Sequence, residues 1–249
     1  MKKGCKIIFG LLLVFFVSTL FGCAIERTNY RPIQTAISKK SSIGVMSFLG
    51  NKVTVCLMNG LLPKKHAYEL SRINYDNYLS DSIKQVLGQK GMMHVFAYHL
   101  PKNNPIASET RGKIIGRFRK IQSFELKYIK SKIKDKKFDY VIIILPSSFL
   151  TDAGLICRYG IFDNRSFLDE KGVAFYATYR IYVLDGKNFN IVSQKYEDHF
   201  IAIPGFTLDW KKDLPLITNQ QRGYYRLWLL NVVGDDIKKN VLKMLSLIK

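Results

Sequence analysis

The stretch from Ala174 to Phe200 constrains the fold more than any other part of this chain. Phe175, Ala177, Tyr179, Ile181 and Val183 fall on one face of an extended segment, and Tyr176, Thr178, Arg180 and Tyr182 fall on the other. A period of two is the signature of a β-strand. Asp185-Gly186 follows, and Phe189–Phe200 is β-rich again. Asp-Gly suits the positive backbone angles of a tight turn, with an extension to Lys187-Asn188, so the segment reads as a hairpin with one core face and one semi-exposed face. Any fold for this chain must contain that antiparallel pair.

The remaining elements are placed around it. Val141-Ile142-Ile143-Ile144-Leu145, closed by Pro146, is continuously apolar, as expected of a strand covered on both faces and central in a sheet. Ile43–Leu49 and Lys52–Met58 flank Gly50-Asn51 and read as a second hairpin. His66–Ile73 is a weaker strand, and Met92–Leu100 and Gly154–Ile161 are further strands. Asn77–Gln89 is helical, with Leu79, Ile83, Val86 and Leu87 on one face and Gly91 as its stop. Gln220–Leu247 reads as a long C-terminal helix with a stripe of Leu227, Leu230, Ile237, Val241, Met244 and Ile248, on which Gly234 also falls. The class is therefore α/β (α+β): a single mixed β-sheet with helices packed on it. The early helices serve as crossovers between parallel strands.

The chain has 249 residues, of which 47% are hydrophobic and 23% charged. This is a globular composition, unlike that of a disordered chain or a multispan membrane protein. The formal charge is +20. Much of it sits in Arg111–Lys137, a basic helical region with two acids, Glu125 and Asp135. If 123–136 is helical, Phe124, Ile129 and Ile133 face the sheet and most lysines face out. Two readings fit: a solvated helix face, or a contact for anionic lipid headgroups through Lys127, Lys130 and Lys134.

The amino terminus is not part of the fold. Lys2, Lys3 and Lys6 precede an uncharged run rich in Leu, Val and Phe that ends in Leu20-Phe21-Gly22-Cys23. This is the pattern of an export signal. A Leu three before a Cys, with a small residue directly before it, resembles the lipobox of bacterial lipoproteins. In that family the Cys thiol receives diacylglycerol, the chain is cut before the Cys, and the new amino group is acylated. The resemblance implies Cys23 as the lipidation site, residues 1–22 as signal peptide, 23–42 as a lipidated tether and 43–249 as a single α/β domain. The alternative is an uncleaved anchor, since Ile7–Ile25 is 19 uncharged residues, just long enough to span a bilayer. Both readings export the rest of the chain and argue against a cytosolic enzyme. The implied location is the bacterial cell envelope. Because Ala24 follows the Cys, the periplasmic side of the outer membrane is favoured over the inner membrane.

After processing, Cys56 and Cys157 remain, each in an apolar stretch, and either two buried thiols or a bridge fits. Ile43-Gly44-Val45-Met46-Ser47, followed by Gly50-Asn51-Lys52-Val53-Thr54-Val55, resembles the start of a group of uncharacterised bacterial envelope proteins. Ala177–Lys187 resembles the hairpin of the same group. More loosely, an anchored domain opening on such a strand is similar to envelope lipoproteins related to the curli-export pore and to the amino-terminal domain of TolB. Their shared α/β domain serves assembly, not catalysis.

The chain contains no Walker loop, GxGxxG, GxSxG or HExxH. His66, His94, His99 and His199 are scattered, and His94 and His99 fall on opposite faces of a strand. Asp163, Asp169 and Glu170 cluster near a loop. Ser147-Ser148 follows the central strand at its C-terminal end, where α/β folds often bind ligands. No catalytic residue, cofactor or metal site is expected. The leading reading is a non-catalytic, membrane-anchored envelope protein that binds another, unknown envelope component. The alternative is a tethered hydrolase acting on lipid or cell-wall material through Ser148 or the loop carboxylates. Export argues against nucleic acid as a partner.

Overall fold

The structure is a computed structural model. It describes residues 37–58, 63–69, 74–101, 106, 121, 123–134, 136–151, 154–157, 159–165, 172–211 and 214–247, with only the backbone at 63, 69, 148–151 and 154–157. Cys23, the signal, the tether up to residue 36, Asp169 and Glu170 lie outside the described residues.

The strands are β1 (Ser42–Ser47), β2 (Lys52–Met58), β3 (Pro63–Glu69), β4 (His94–Ala97), β5 (Tyr140–Pro146), β6 (Ser148–Thr151), β7 (Gly154–Cys157), β8 (Tyr159–Asn164), β9 (Gly172–Asp185), β10 (Ile191–Ala202), β11 (Asp209–Lys211) and β12 (Leu214–Leu216). The helices are α1 (Tyr75–Gln89), α2 (Ser123–Lys132), α3 (Asn219–Trp228) and α4 (Gly234–Met244), the last two joined by a π-helical turn, Leu229–Val233. The main sheet is eight-stranded and mixed, ordered β3-β2-β8-β9-β5-β1-β4, with β10 also on β9.

The long strand β9 organises this sheet. Antiparallel β10 follows one of its edges from Leu184 to Ala174. Along the other edge lie two strands in succession: β5 against Asp185–Tyr179 and β8 against Ala177–Gly172. β1 pairs parallel with β5, and β2 pairs parallel with β8. The sheet thus has two halves, a Ser42 end built from β4, β1 and β5 and an Asn164 end built from β3, β2 and β8.

The hairpin expected at Gly50-Asn51 does not form. Both edges of β1 are taken in parallel by β4 and β5, and β2 turns back only later, on β3. Residues 48–51 are a step from one half of the sheet to the other. Gly50 has φ +83, which favours glycine. The buried Asp76 carboxylate accepts the Gly50 amide at 3.0 Å and the Ser47 hydroxyl at 2.7 Å, while the Asn51 side chain accepts the Tyr75 amide at 2.7 Å. The first turn of α1 therefore holds the step closed. Residues 154–161 are likewise not one strand. β7 pairs with β6 in a separate hairpin, and β8 enters the main sheet.

The hairpin of β9 and β10 forms, but its turn differs in detail. The residue with positive φ is Phe189, at 63°, not Gly186. Asp185 Oδ1 accepts the amides of Lys187 and Asn188 at 2.8 and 3.0 Å, and these bonds hold its carboxyl below the ordinary range. Glycine is required at 186 by proximity: a Cβ there would lie 1.9 Å from the Phe138 carbonyl oxygen.

The sheet is covered on both faces. One face packs against α1, α3 and α4, with Leu79, Ile83, Leu229, Val233 and Ile237 over Ile144, Tyr179 and Ile181. The other receives α2, with Ile129 and Ile133 over Val141, Ile143 and Tyr182. β5 is buried from both sides, as its apolar run requires. The second face of β9, expected to be semi-exposed, is buried too: Tyr176, Thr178, Arg180 and Tyr182 are all at most 5% exposed. The Arg180 guanidinium lies over the Tyr196 ring, 5.4 Å from its centroid. Cys56 is buried and free, and burial pushes its thiol up to about 11. No helix among the described residues is long and apolar enough to cross a membrane.

Two apolar stripes differ in part from their expected positions. In the C-terminal helix Ile237, Val241 and Met244 are buried as expected, but before them the buried positions are Tyr225, Leu229 and Val233, while Leu230 is half-buried and Leu227 is 56% exposed. Leu229 and Ile237 are eight apart, about 80° out of line in a regular α-helix; the extra residue of the π turn realigns them. Tyr75 Oη donates to the Leu229 carbonyl at 3.1 Å within that turn. In α2, Glu125 is buried and Phe124 points outward. Glu125 is one helical turn from Ile129, whereas Phe124 is five residues away and off the stripe.

Candidate functional site

Two places gather polar side chains. The first is a cleft at the Ser42 end of about 730 Å³, between the end of α2 and the turn from β9 to β10. Its rim carries Lys130, Lys134, Lys136, Lys137 and Lys187, and its apolar floor is Ile133, Phe138 and Phe189. Local packing fixes these positions. Ile133 and Phe138 are buried in the second core. Gly186 donates to the Asp139 carbonyl at 2.8 Å, which pins the hairpin turn beside the strand leading out of the lysine-rich segment. Phe189 carries the positive φ, a conformation that costs a non-glycine residue on the order of 1 kcal/mol or more.

Lys130 Nζ lies 4.8 Å from the Phe189 centroid, and Lys136 Nζ lies 4.5 Å from that of Phe96. Asp139 is the acid in the lining. Its Oδ2 already accepts the Ser42 amide at 2.8 Å and the Ser42 hydroxyl at 3.1 Å. Among the described residues none of the five rim lysines is in a salt bridge. Of the three lysines singled out from sequence, Lys130 and Lys134 line the cleft, and Lys127 is exposed on α2 outside it. Lys136, Lys137 and Lys187 complete it. Lys187 comes from a turn fifty residues away in sequence, and no local pattern links that turn to the lysine-rich segment.

The second place is a network where β10 meets α4. The Asp236 carboxylate accepts from Tyr179 Oη, contacts His199 Nε2 at 3.1 Å and accepts from Asn240 Nδ2 at 2.7 Å. Lys195 Nζ donates to Asn240 Oδ1 at 2.7 Å. Burial alone would raise the Asp236 carboxyl, but the bonds from His199 and Tyr179 and the charges of His199 and Lys195 outweigh it and hold it below its ordinary value. Burial first, and then the Asp236 charge, pushes the Tyr179 phenol well above its ordinary value. Every group here is engaged with another, and the network fastens the last helix to the sheet.

The other candidates disperse. Asp163 accepts from Trp210 Nε1 at 2.6 Å and pairs with Arg165 at 3.0 Å. His99 pairs with Asp81 at 2.9 Å, and His66 sits beside the Trp210 ring. Ser147 is buried, its amide bonded to the Thr178 carbonyl and its own carbonyl accepting the Thr178 hydroxyl. The Ser148 side chain is outside those described. No group of three or more His, Cys, Asp or Glu is placed to hold a metal among the described residues.

No family model matches the chain, and no curated protein matches it. Among solved structures it is similar to protein XCC0632 of Xanthomonas campestris, from family DUF330, with a TM-score of 0.44 and 9% identity over 86% of this chain and 90% of that one. It is also similar to PelC from Paraburkholderia phytofirmans, solved as a dodecamer, with a TM-score of 0.35 and 10% identity over 88% of this chain and 96% of that one. Both scores lie below the range in which two folds superpose as one, so neither likeness bears on function.

Proposed function

We propose that this chain is a non-catalytic lipoprotein of the bacterial envelope, held on a membrane by acyl chains on Cys23 and serving a binding or assembly role through its α/β domain. The observation that carries this reading is Leu20-Phe21-Gly22-Cys23, closing an uncharged run behind three lysines. Three acyl chains, at about 0.8 kcal/mol per buried methylene, anchor a protein far more firmly than one. Ala24 after the Cys favours the outer membrane, periplasmic side. The domain's carboxylates support a non-catalytic role, because Asp76, Asp163 and Asp236 are each spent on holding one element to another.

Mass spectrometry of the chain isolated from membranes tests this. The expected amino terminus is an acylated Cys23, and Cys23→Ser is expected to leave residues 1–22 attached. An unmodified Cys23, or an intact Met1 end in the parent chain, overturns the reading.

A further inference from the structure

We infer that the lysine cleft at the Ser42 end binds the phosphodiester headgroup of an anionic lipid, and that this contact sets the Ser42 end of the domain against the bilayer. The choice of lipid as occupant rests on the Cys23 anchor proposed above; the cleft itself does not.

Four observations converge. The first is charge. Five lysines line one concavity, and the Asp139 carboxylate beside them is engaged by Ser42. Like charges brought together this way favour an anion between them. The second is the apolar floor of Ile133, Phe138 and Phe189 beneath those charges. A small hydrated anion gains nothing from such a floor, whereas the glycerol and upper acyl carbons of a lipid do.

The third is the neighbourhood. Phe96, on the strand paired with β1, is 39% exposed between Lys136 and Phe138 of the cleft, and Met93, just before that strand, is 70% exposed. The Met93 amide donates to the Lys39 carbonyl at 3.2 Å, which fixes that Met next to the entering chain. Apolar tips among lysines are the composition of a surface that sits at a lipid interface.

The fourth is the point of entry. The chain enters the fold at Ile37, buried in the first core, and five residues later Ser42 bonds to Asp139 of the cleft. The 14 residues from Cys23 to Ile37 reach at most about 50 Å when fully extended. The fourteen residues of β9 run about 45 Å along the sheet. A lipid on Cys23 therefore keeps the Ser42 end within reach of the bilayer, and for a domain standing upright only a nearly fully stretched tether would bring the Asn164 end down instead.

Amine-acylation footprinting of the full chain, isolated from membranes in neutral detergent, tests the inference. Lys84 on α1 and Lys211 on β11 are exposed references. The probes are short-chain phosphatidylglycerol, short-chain phosphatidylcholine and inorganic phosphate. Phosphatidylglycerol is expected to protect Lys130, Lys134, Lys137 and Lys187 severalfold over the references, with protection fading as salt rises. Replacing Lys130, Lys134 and Lys137 together by Gln is expected to abolish protection of Lys187, each lost charge weakening binding about fivefold at low salt.

Equal protection by phosphatidylcholine, equal protection by inorganic phosphate, or no protection overturns the inference. The acyl state of Cys23 is read in the same spectra. Acylated Cys23 with unprotected lysines removes the cleft alone, and unmodified Cys23 with protected lysines removes the anchor while supporting the cleft.

Discussion

On the face that receives α1, α3 and α4, side chains from three helices interlock over nearly the whole length of β9, and the aromatic rings of Tyr75, Tyr159, Phe175 and Tyr225 meet edge to face. On the opposite face α2 contributes ten residues and buries few of them, chiefly Glu125 and Ile129, while Lys127, Lys130 and Lys132 stay in water. The first face carries the cooperative core. Among the described residues the second is covered more sparsely and concentrates positive charge at the Ser42 end. A sheet covered so unequally separates two tasks: one layer stabilises the fold, and the other is free to present a surface.

The largest expected effect breaks or supports that comparison directly. Leu229 is fully buried in the first core, at the π turn, and Ile133 is buried beneath α2. Leu229→Ala is expected to cost about 3 kcal/mol of global stability, within the usual range for a buried Leu. Native-state hydrogen exchange on this variant should lose protection together in β5, β9 and α4. Ile133→Ala is expected to lose protection in α2 alone, because a single short helix opens without unfolding the sheet. Global loss of protection in the Ile133 variant would mean the two faces form one cooperative unit.

The same inequality governs what the sequence revealed. The alternation of Phe175 to Val183, the apolar run of β5 and the stripe of α1 report local periods, and all three elements form where expected. The failures arise where a distant element decides. Gly50-Asn51 has hairpin chemistry, but β4 and β5 have already filled both edges of β1. The C-terminal stripe holds at Ile237, Val241 and Met244 but fails before them at Leu227, because one π turn shifts the phase and leaves no compositional mark. Glu125 sits where a hydrophobe was expected, so Phe124 was given its place. For the cleft, Lys130 and Lys134 were legible as a charge run. Lys187 was not, since only the pairing of β5 with β9 brings its turn to α2.

A smaller effect is expected at the rim of the first face, where Asp236 joins β10 to α4. Its carboxyl is held below the ordinary value of 3.8. A group whose folded value is lowered stabilises the fold fully above its unfolded value, and that contribution is lost as pH falls through the folded value. Asp236→Asn is therefore expected to cost about 1–2 kcal/mol at neutral pH, by removing the charge that His199 and Tyr179 bond to. The difference between variant and parent should shrink as pH drops below 3.8, read from urea midpoints across that range. A pH-independent difference would show that shape, not charge, fastens α4.

The smallest expected effect concerns the lysines themselves, and it separates a presented surface from a structural one. Lys130, Lys134 and Lys137 are exposed, and among the described residues none is in a salt bridge. Replacing all three by Gln removes no buried apolar area beyond parts of their stems, so stability should stay within about 0.5 kcal/mol of the parent, as for surface changes generally. The sign carries the information. Five like charges around one cleft repel each other, and the repulsion is strongest at low ionic strength. The triple variant should therefore melt slightly higher than the parent at low salt, with the two curves converging as salt screens the parent's repulsion. A positive cluster that lowers the stability of its own fold is not kept there by folding. If the triple variant instead melts lower at every salt concentration, the lysines contribute to packing through their stems, and the second face is structural like the first.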